Sequence, residues 1–297
     1  MVELPHVPRI GVLPIQSRLS SKPPTHKPGV DSPIGVFDSG VGGLTVLSHV
    51  MKQLPNEDVI YLADTARIPF GGRAPQDILR INLEIMNFMV ESGVKLVMMA
   101  CGTSSSIAYP ILFDRYQIPI IGLVEPAAEE AVNASRNGKI GLIATEGSVG
   151  AGFFQGAIKE KNQRALVIAV GCPLFVPQIE KGDLESEETE RMARVYLKPI
   201  QEKGADTLIF GCTHYPHLRG IIGKIMGPDV SYVDPGEGMA RQAKEILLKE
   251  KLLRTQNPKP RYQYCATGPW RSFQEVGSNL LGKTIPNVRQ ITLRKIM

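Results

Sequence analysis

Four landmarks occur in the same order, at similar spacing, in each half of the chain, and each closes a short apolar run. In the first half they are Asp38 after 34–37, Asp64 after 61–63, Cys101 after 97–100 and Glu125 after Val124. In the second half they are Thr145 after 140–144, Cys172 after 169–171, Cys212 after 208–211 and Asp234 after Val233. Apolar runs of this length, alternating with segments of helical period, read as buried parallel strands joined by helices. The period is too long for a solenoid unit of roughly 20–50 residues. The repeat therefore predicts an α/β fold of two pseudo-symmetric domains, each a parallel-type sheet flanked by helices. The site is expected at the domain interface, a common place for a small-molecule pocket. The first domain is expected at 33–124 plus 235–297 and the second at 125–234, with 1–32 a flexible N-terminal extension rich in Pro, Ser and Lys/Arg.

Strands are expected at 34–37, 59–63, 94–100, 119–123, 140–144, 166–170, 207–210 and 261–266. Helices are expected at 44–53, 78–92, 152–161, 185–203, 238–251 and 270–280, and Thr103 to Ser106 offers the start of another. With 297 residues and 43% hydrophobic content, the chain can bury a sizeable core. The net charge of +5 is spread out, without a dense Lys/Arg block, so nucleic acid is not an expected partner. No apolar stretch is long enough for a membrane span, and the N-terminus lacks a signal-peptide core. Four cysteines are too few for a disulfide framework in a chain of this length, which suggests a reduced, cytoplasmic protein.

Cys101 and Cys212 both stand where a strand gives way to a polar turn, the edge at which open α/β sheets bind ligands. Two thiols in matched context suggest an acid and a base facing one substrate. A single nucleophilic thiol, a metal ligand pair and plain packing are the other readings. Metal would need partners, and neither Cys-x-x-Cys nor His-Glu-x-x-His is present. Cys172 and Cys265 lack the neighbouring Thr and are expected to be packing residues. Thr103 and Thr213 supply hydroxyls, and His214 can exchange a proton near neutral pH. Asp38, Asp64 and Glu180 are acids at strand ends or near a helix start, Asp38 being the one most expected to be buried and paired. The turn Ser39-Gly40-Val41-Gly42-Gly43 does not fit Gly-x-Gly-x-x-Gly or a phosphate loop. It reads as a tight strand-to-helix turn, as a donor of N–H groups to a carboxylate, or as a holder of Asp38.

Five segments together resemble the glutamate racemases of the aspartate/glutamate racemase superfamily. They are 34–44 with Asp38-Ser39-Gly40-Val41-Gly42-Gly43, 64–71 with Pro69-Phe70-Gly71, 100–103, 172–177, and Gly211-Cys212-Thr213-His214-Tyr215-Pro216. The resemblance runs over about 33–285. It implies racemisation of glutamate with no cofactor and no metal, the D-glutamate serving peptidoglycan synthesis. Cys101 would act on the D-enantiomer and Cys212 on the L-enantiomer. Asp38 would assist the first and His214 the second, with Asp64 and Glu180 in support. Ser39 and Thr213 would hold the amino and α-carboxylate groups. Pro69, Phe70 and Gly71 would meet the side-chain carboxylate, with Thr145, on the matching second-half strand, and Gly102 and Thr103 also at the substrate. Glutamate is the implied partner, without nucleic acid or membrane, and a homodimer is the assembly to test for. A racemase of another acidic amino acid such as aspartate, or a catalytically weak homologue with a binding role, are the alternatives. Two positions depart from the pattern: Gly102 stands where the family has Asn, and Phe70 where it has Tyr. Restoring Asn at 102 would be expected to recover a lost donor.

Overall fold

The computed structural model describes residues 23–296. The first half runs β1 (Ile34–Asp38), α1 (Leu44–Gln53), β2 (Val59–Ala63), α2 (Pro75–Glu91), β3 (Leu96–Met99), α3 (Gly102–Ile107), α4 (Tyr109–Leu112), β4 (Ile120–Gly122) and α5 (Val124–Ala134). The second runs β5 (Lys139–Ala144), α6 (Glu146–Ala151), α7 (Phe153–Lys161), β6 (Leu166–Gly171), α8 (Phe175–Glu180), α9 (Glu187–Glu202), β7 (Thr207–Phe210), a 3-10 turn at Tyr215–Leu218, α10 (Arg219–Met226) and β8 (Ser231–Val233). The chain then returns to the first half through α11 (Pro235–Lys249), β9 (Tyr262–Ala266), α12 (Trp270–Leu281) and β10 (Arg289–Gln290).

Two sheets result, ordered β10-β9-β2-β1-β3-β4 and β6-β5-β7-β8, and every strand pair is parallel. Within each sheet the repeated unit has the same order: second strand, first, third, fourth. The two sheets are thus copies of one winding, the first extended at one edge by β9 and β10. In such a winding the chain reverses direction across the sheet between its first and third strands. The crevice at their C-terminal ends is where a ligand binds. Asp38 and Cys101 flank that point in the first sheet, and Thr145 and Cys212 flank it in the second.

The central strands are buried because helices cover both faces, whereas β6, β8 and β10 at the sheet edges stay partly or fully exposed. Alternate residues point to opposite faces. Ile34 and Val36 of β1 join a central core with α1, α5, α7, α11 and α12, whereas Phe37 joins an outer core under α2. In the second sheet Leu142 and Ile209 face the central core, and Ile143, Leu208 and Phe210 face an outer core under α8, α9 and α10. The central core is continuous between the sheets and holds the two thiol-bearing edges in one molecule.

Of the extension expected at 1–32, residues 1–22 lie outside the described part. Val30 is tied down, since its carbonyl accepts a hydrogen bond of 2.7 Å from the buried Lys95 Nζ, which also pairs with Glu57 at 2.6 Å. Among the described residues, no helix is long and apolar enough to cross a membrane.

Candidate active site

One cavity of about 190 Å³ opens between the two sheets. Both thiols line it, Cys101 from the loop after β3 and Cys212 from the loop after β7. Asp38, Ser39, Pro69, Phe70, Gly71, Gly102, Thr103, Thr145, Thr213 and His214, all expected from the sequence, line it too. Asp64 and Glu180 do not: Glu180 binds His214, which does, whereas Asp64 binds Arg67 and Thr267 behind the cavity wall. The last landmark of each half also stays away: Glu125 pairs with Lys161 at 3.3 Å, and Asp234 caps α11 through the Gly236 N–H at 3.0 Å.

The glycine-rich turn after β1 holds Asp38. The Gly40 and Gly43 N–H groups donate to Asp38 Oδ2 at 3.1 and 3.0 Å, and the Tyr61 hydroxyl braces the turn through the Gly40 carbonyl at 2.9 Å. Asp38 is buried, and burial raises its pKa even against the opposing influence of His214 and of these N–H donors. A carboxylate poised in this way can accept a proton. The turn is glycine-rich for a spatial reason as well. A Cβ at Gly42 would overlap the His214 imidazole from the opposite sheet.

Burial holds the Cys101 thiol up, helped by the Asp38 charge, to about 12. Around Cys212 the arrangement is a chain. Cys212 Sγ lies 3.8 Å from His214 Nδ1, and His214 Nε2 lies 2.7 Å from Glu180 Oε1. The same Glu180 oxygen accepts the Val41 N–H at 3.1 Å, so a group of the second sheet is held by the turn of the first. Burial alone would lower the His214 pKa, but its bonds to Cys212 and Glu180 outweigh it and raise the ring well above the usual value. Burial likewise would raise Glu180, but the hydrogen bond and charge of His214 hold it below the usual range. His217, half-buried, is pushed down to about 4, first by its burial and then by the charge of His214. The positive charge therefore resides on His214, next to the Cys212 sulfur.

Asp64 sits at the end of β2, fully buried, and organises the loop that leads to Pro69, Phe70 and Gly71. Its carboxylate accepts from Arg67 Nε at 2.7 Å and from the Thr267 hydroxyl at 2.6 Å, while Arg67 also pairs with Glu84. The loop contains a cis Ile68–Pro69 bond. The hydroxyls of Thr103 and Thr145 meet at 3.1 Å across the two halves. The buried Thr213 hydroxyl has no protein partner and lines the cavity.

Gly102 has a close-approach role. A Cβ there would overlap the Gly211 carbonyl oxygen, so the two thiol loops touch backbone to backbone. The departure from Asn is thus sterically tied to this packing, and an added side chain has no space. Phe70 is buried and belongs to the outer core of the first sheet, where it needs no hydroxyl.

Sequence reasoning missed Cys172, Glu146, Pro173, Val176 and Gly72, which complete the cavity wall. Cys172 was expected only to pack. It is fully buried and its thiol is raised by burial, yet it forms part of the wall, with its carbonyl pinned by the Tyr215 hydroxyl at 2.8 Å. The available signal was the repeat itself, which aligns Cys172 with Asp64. Cys265 packs in the outer core of the first sheet, as expected.

A family model described as Asp/Glu/Hydantoin racemase matches residues 34–243. A glutamate racemase of Geobacter metallireducens is 42% identical over 260 residues, covering 88% of this chain and 96% of that protein. A solved glutamate racemase isoform from Bacillus anthracis has a TM-score of 0.85 at 32% identity, covering 88% of this chain and 98% of that one. The glutamate racemase of Francisella tularensis, solved in complex with D-glutamate, has a TM-score of 0.83 at 33% identity, with coverages of 89% and 98%. Because the family match takes in every strand from β1 to β8 and both thiol loops, this chain belongs to the Asp/Glu/hydantoin racemase family.

Proposed function

We propose that the protein interconverts L- and D-glutamate without a cofactor, using Cys101 and Cys212 as a two-base pair, and that the D-glutamate supplies peptidoglycan synthesis. The observation that carries this reading is the placement of the two thiols at equivalent strand ends of two copies of one winding, lining one cavity. The cavity is smaller than the roughly 300–1,000 Å³ of drug-sized pockets, which suits an amino acid. The relatives named as glutamate racemases, one of them holding D-glutamate, support the substrate. In this reading 33–124 plus 235–297 and 125–234 act as two bodies that face each other across the substrate.

In the D-to-L direction Asp38 assists removal of the Cys101 proton, aided by the ammonium charge of the arriving substrate. The Cys101 thiolate then takes the α-proton; the C–H bond breaks, an S–H bond forms, and the electron pair remains on Cα and its carboxylate. The Cys212 thiol gives a proton to the opposite face, and His214, held charged by Glu180, stabilises the thiolate left behind. The reverse reaction exchanges the two roles. No Lys or Arg is among the residues lining the cavity, so hydroxyls and peptide N–H groups must hold the carboxylates. The unpartnered Thr213 hydroxyl serves the α-carboxylate and Ser39 the amino group. The loop Pro69-Phe70-Gly71 with Thr145, Thr103 and Gly102 surrounds the side-chain end. Such pre-aimed donors act where charge develops. Asp64 positions that loop through Arg67.

The test is α-proton exchange in deuterated water with each enantiomer, without pyridoxal phosphate. Both enantiomers should exchange and racemise, and Cys101→Ser and Cys212→Ser should each abolish racemisation. Absence of exchange with both enantiomers would sink the glutamate assignment; racemisation surviving either substitution would refute the two-thiol mechanism.

A further inference from the structure

A chain of hydroxyls runs from behind the cavity wall to its surface. Ser148 is fully buried in α6 and does not line the cavity; its Oγ lies 2.9 Å from the Thr145 hydroxyl. Thr145 follows β5 and lines the cavity, and its hydroxyl meets that of Thr103, also in the lining, at 3.1 Å. Among the described residues, the Ser148 and Thr103 hydroxyls have no hydrogen-bond partner other than Thr145. Which way the hydrogens point follows from counting. The Thr145 oxygen carries one hydrogen and can accept two. The Ser148 N–H, at 3.2 Å, takes one acceptor position as the cap of α6. One hydrogen and one acceptor position remain for two hydroxyls, so one donates to Thr145 and the other accepts from it. Were Thr103 the donor, Thr145 would donate to Ser148, and the Ser148 hydrogen would be buried without an acceptor, which is costly. The opposite polarity leaves nothing unpaired inside. Ser148 donates to Thr145, Thr145 donates to Thr103, and the hydrogen left over is that of Thr103, at the cavity surface.

We propose that Ser148 is a positioning residue that sets the polarity of this chain, so that the Thr103 hydroxyl faces the cavity as a hydrogen-bond donor to a substrate carboxylate. A carboxylate only accepts, and no Lys or Arg lines the cavity to meet it. A threonine hydroxyl has no fixed direction of its own: it can offer a lone pair as readily as a hydrogen, and a lone pair turned on a carboxylate repels it. Ser148 removes that choice from behind the wall, before any substrate arrives, which is the condition for a pre-aimed donor. The chain also crosses between the two halves. A direction fixed in α6 of the second half is delivered by Thr103 of α3 in the first.

The choice of carboxylate rests on the proposed glutamate reaction, but the polarity does not, and neutron diffraction from a deuterated crystal of the full chain without ligand reads it directly. The Ser148 deuteron should lie toward Thr145, and the Thr145 deuteron toward Thr103. A Thr145 deuteron directed at Ser148 overturns the proposal. Kinetics with glutamate test the consequence. Ser148→Ala keeps the N–H that caps α6 but frees Thr103 to donate inward, away from the cavity. KM should rise about fivefold with kcat little changed, as expected when binding is lost equally from ground and transition states. In a Thr103→Val background the same substitution should leave KM where Thr103→Val alone puts it, because Ser148 acts through that hydroxyl. An unchanged KM in Ser148→Ala, a loss confined to kcat, or an equal rise of KM in both backgrounds overturns the proposal. The neutron measurement needs no variant, so it decides the polarity even where Ser148→Ala does not fold. The expected polarity in a protein that does not turn over glutamate would uphold the role of Ser148 and refute the substrate.

Discussion

Cys101 and Cys212 occupy equivalent positions but unlike surroundings: one faces a carboxylate, the other a charged imidazole. For Cys101 the sign is clear. Burial and then the Asp38 charge disfavour its thiolate and hold the thiol up to about 12, so at neutral pH the free protein carries it protonated. Its alkylation should climb steadily between about pH 7 and pH 10. Asp38→Asn removes the opposing negative charge, lowers the thiol pKa and should speed alkylation at any fixed pH. The same substitution removes a proton acceptor and should slow racemisation by roughly 10²–10⁴. Faster alkylation with slower turnover is the signature; a variant slowed in both would show that Asp38 acts otherwise. At this scale the sequence disclosed the residues standing at strand ends, since an apolar run stopping at a polar residue marks the edge. It did not disclose the partners. Glu180 reaches His214 and Val41, and Asp64 reaches Thr267, only after the chain has folded across large separations.

The loops that follow β3 and β7 are the elements on which the site depends, and their contact gives a prediction opposite to the simple one. Gly102→Asn restores the residue usual in the family, yet its Cβ would overlap the Gly211 carbonyl. The substitution should cost about 1–3 kcal/mol of stability and reduce, not raise, racemase activity; urea unfolding alongside kinetics checks both. The strands were legible almost to the residue, because a buried strand needs a continuous apolar run: β2 and β7 start and stop where the pattern does. Several helices were not. Beyond Val124 and Pro126 at its start, the buried face of α5 is made of Ala127, Ala128 and Ala131, too small to produce a periodic apolar signal. The short α4, α6, α8 and α10 contain Pro or Gly and offer too few turns for a period to show. β8 is only three residues long, and Val233 alone of them is buried.

The whole molecule places one sheet on each side of the cavity, so a ligand there bridges them. In the proposed function, D-glutamate at about a hundred times its Kd should stabilise the fold by roughly 2.7 kcal/mol. A rise in Tm of roughly 5 °C should follow. D-Lysine, which lacks the second carboxylate, should give no rise; an equal rise with lysine would refute recognition of the dicarboxylate. The sequence made the duplication visible, because matching residues close matching strands. The return of 235–297 to the first half was expected, but not that β9 lies beside β2 with β10 outside it, since strand order depends on long-range pairing that no local pattern encodes. The contact between Gly102 and Gly211 also limits the directions in which this protein can change. Neither position has a smaller residue to adopt. At Gly211, too, a Cβ would press on Leu142 and Ala144, at 2.7 and 2.9 Å. A replacement at Gly102 adds atoms against the opposite thiol loop and presses the cleft apart, whereas one at Gly211 adds them against β5 and disturbs the second sheet from within.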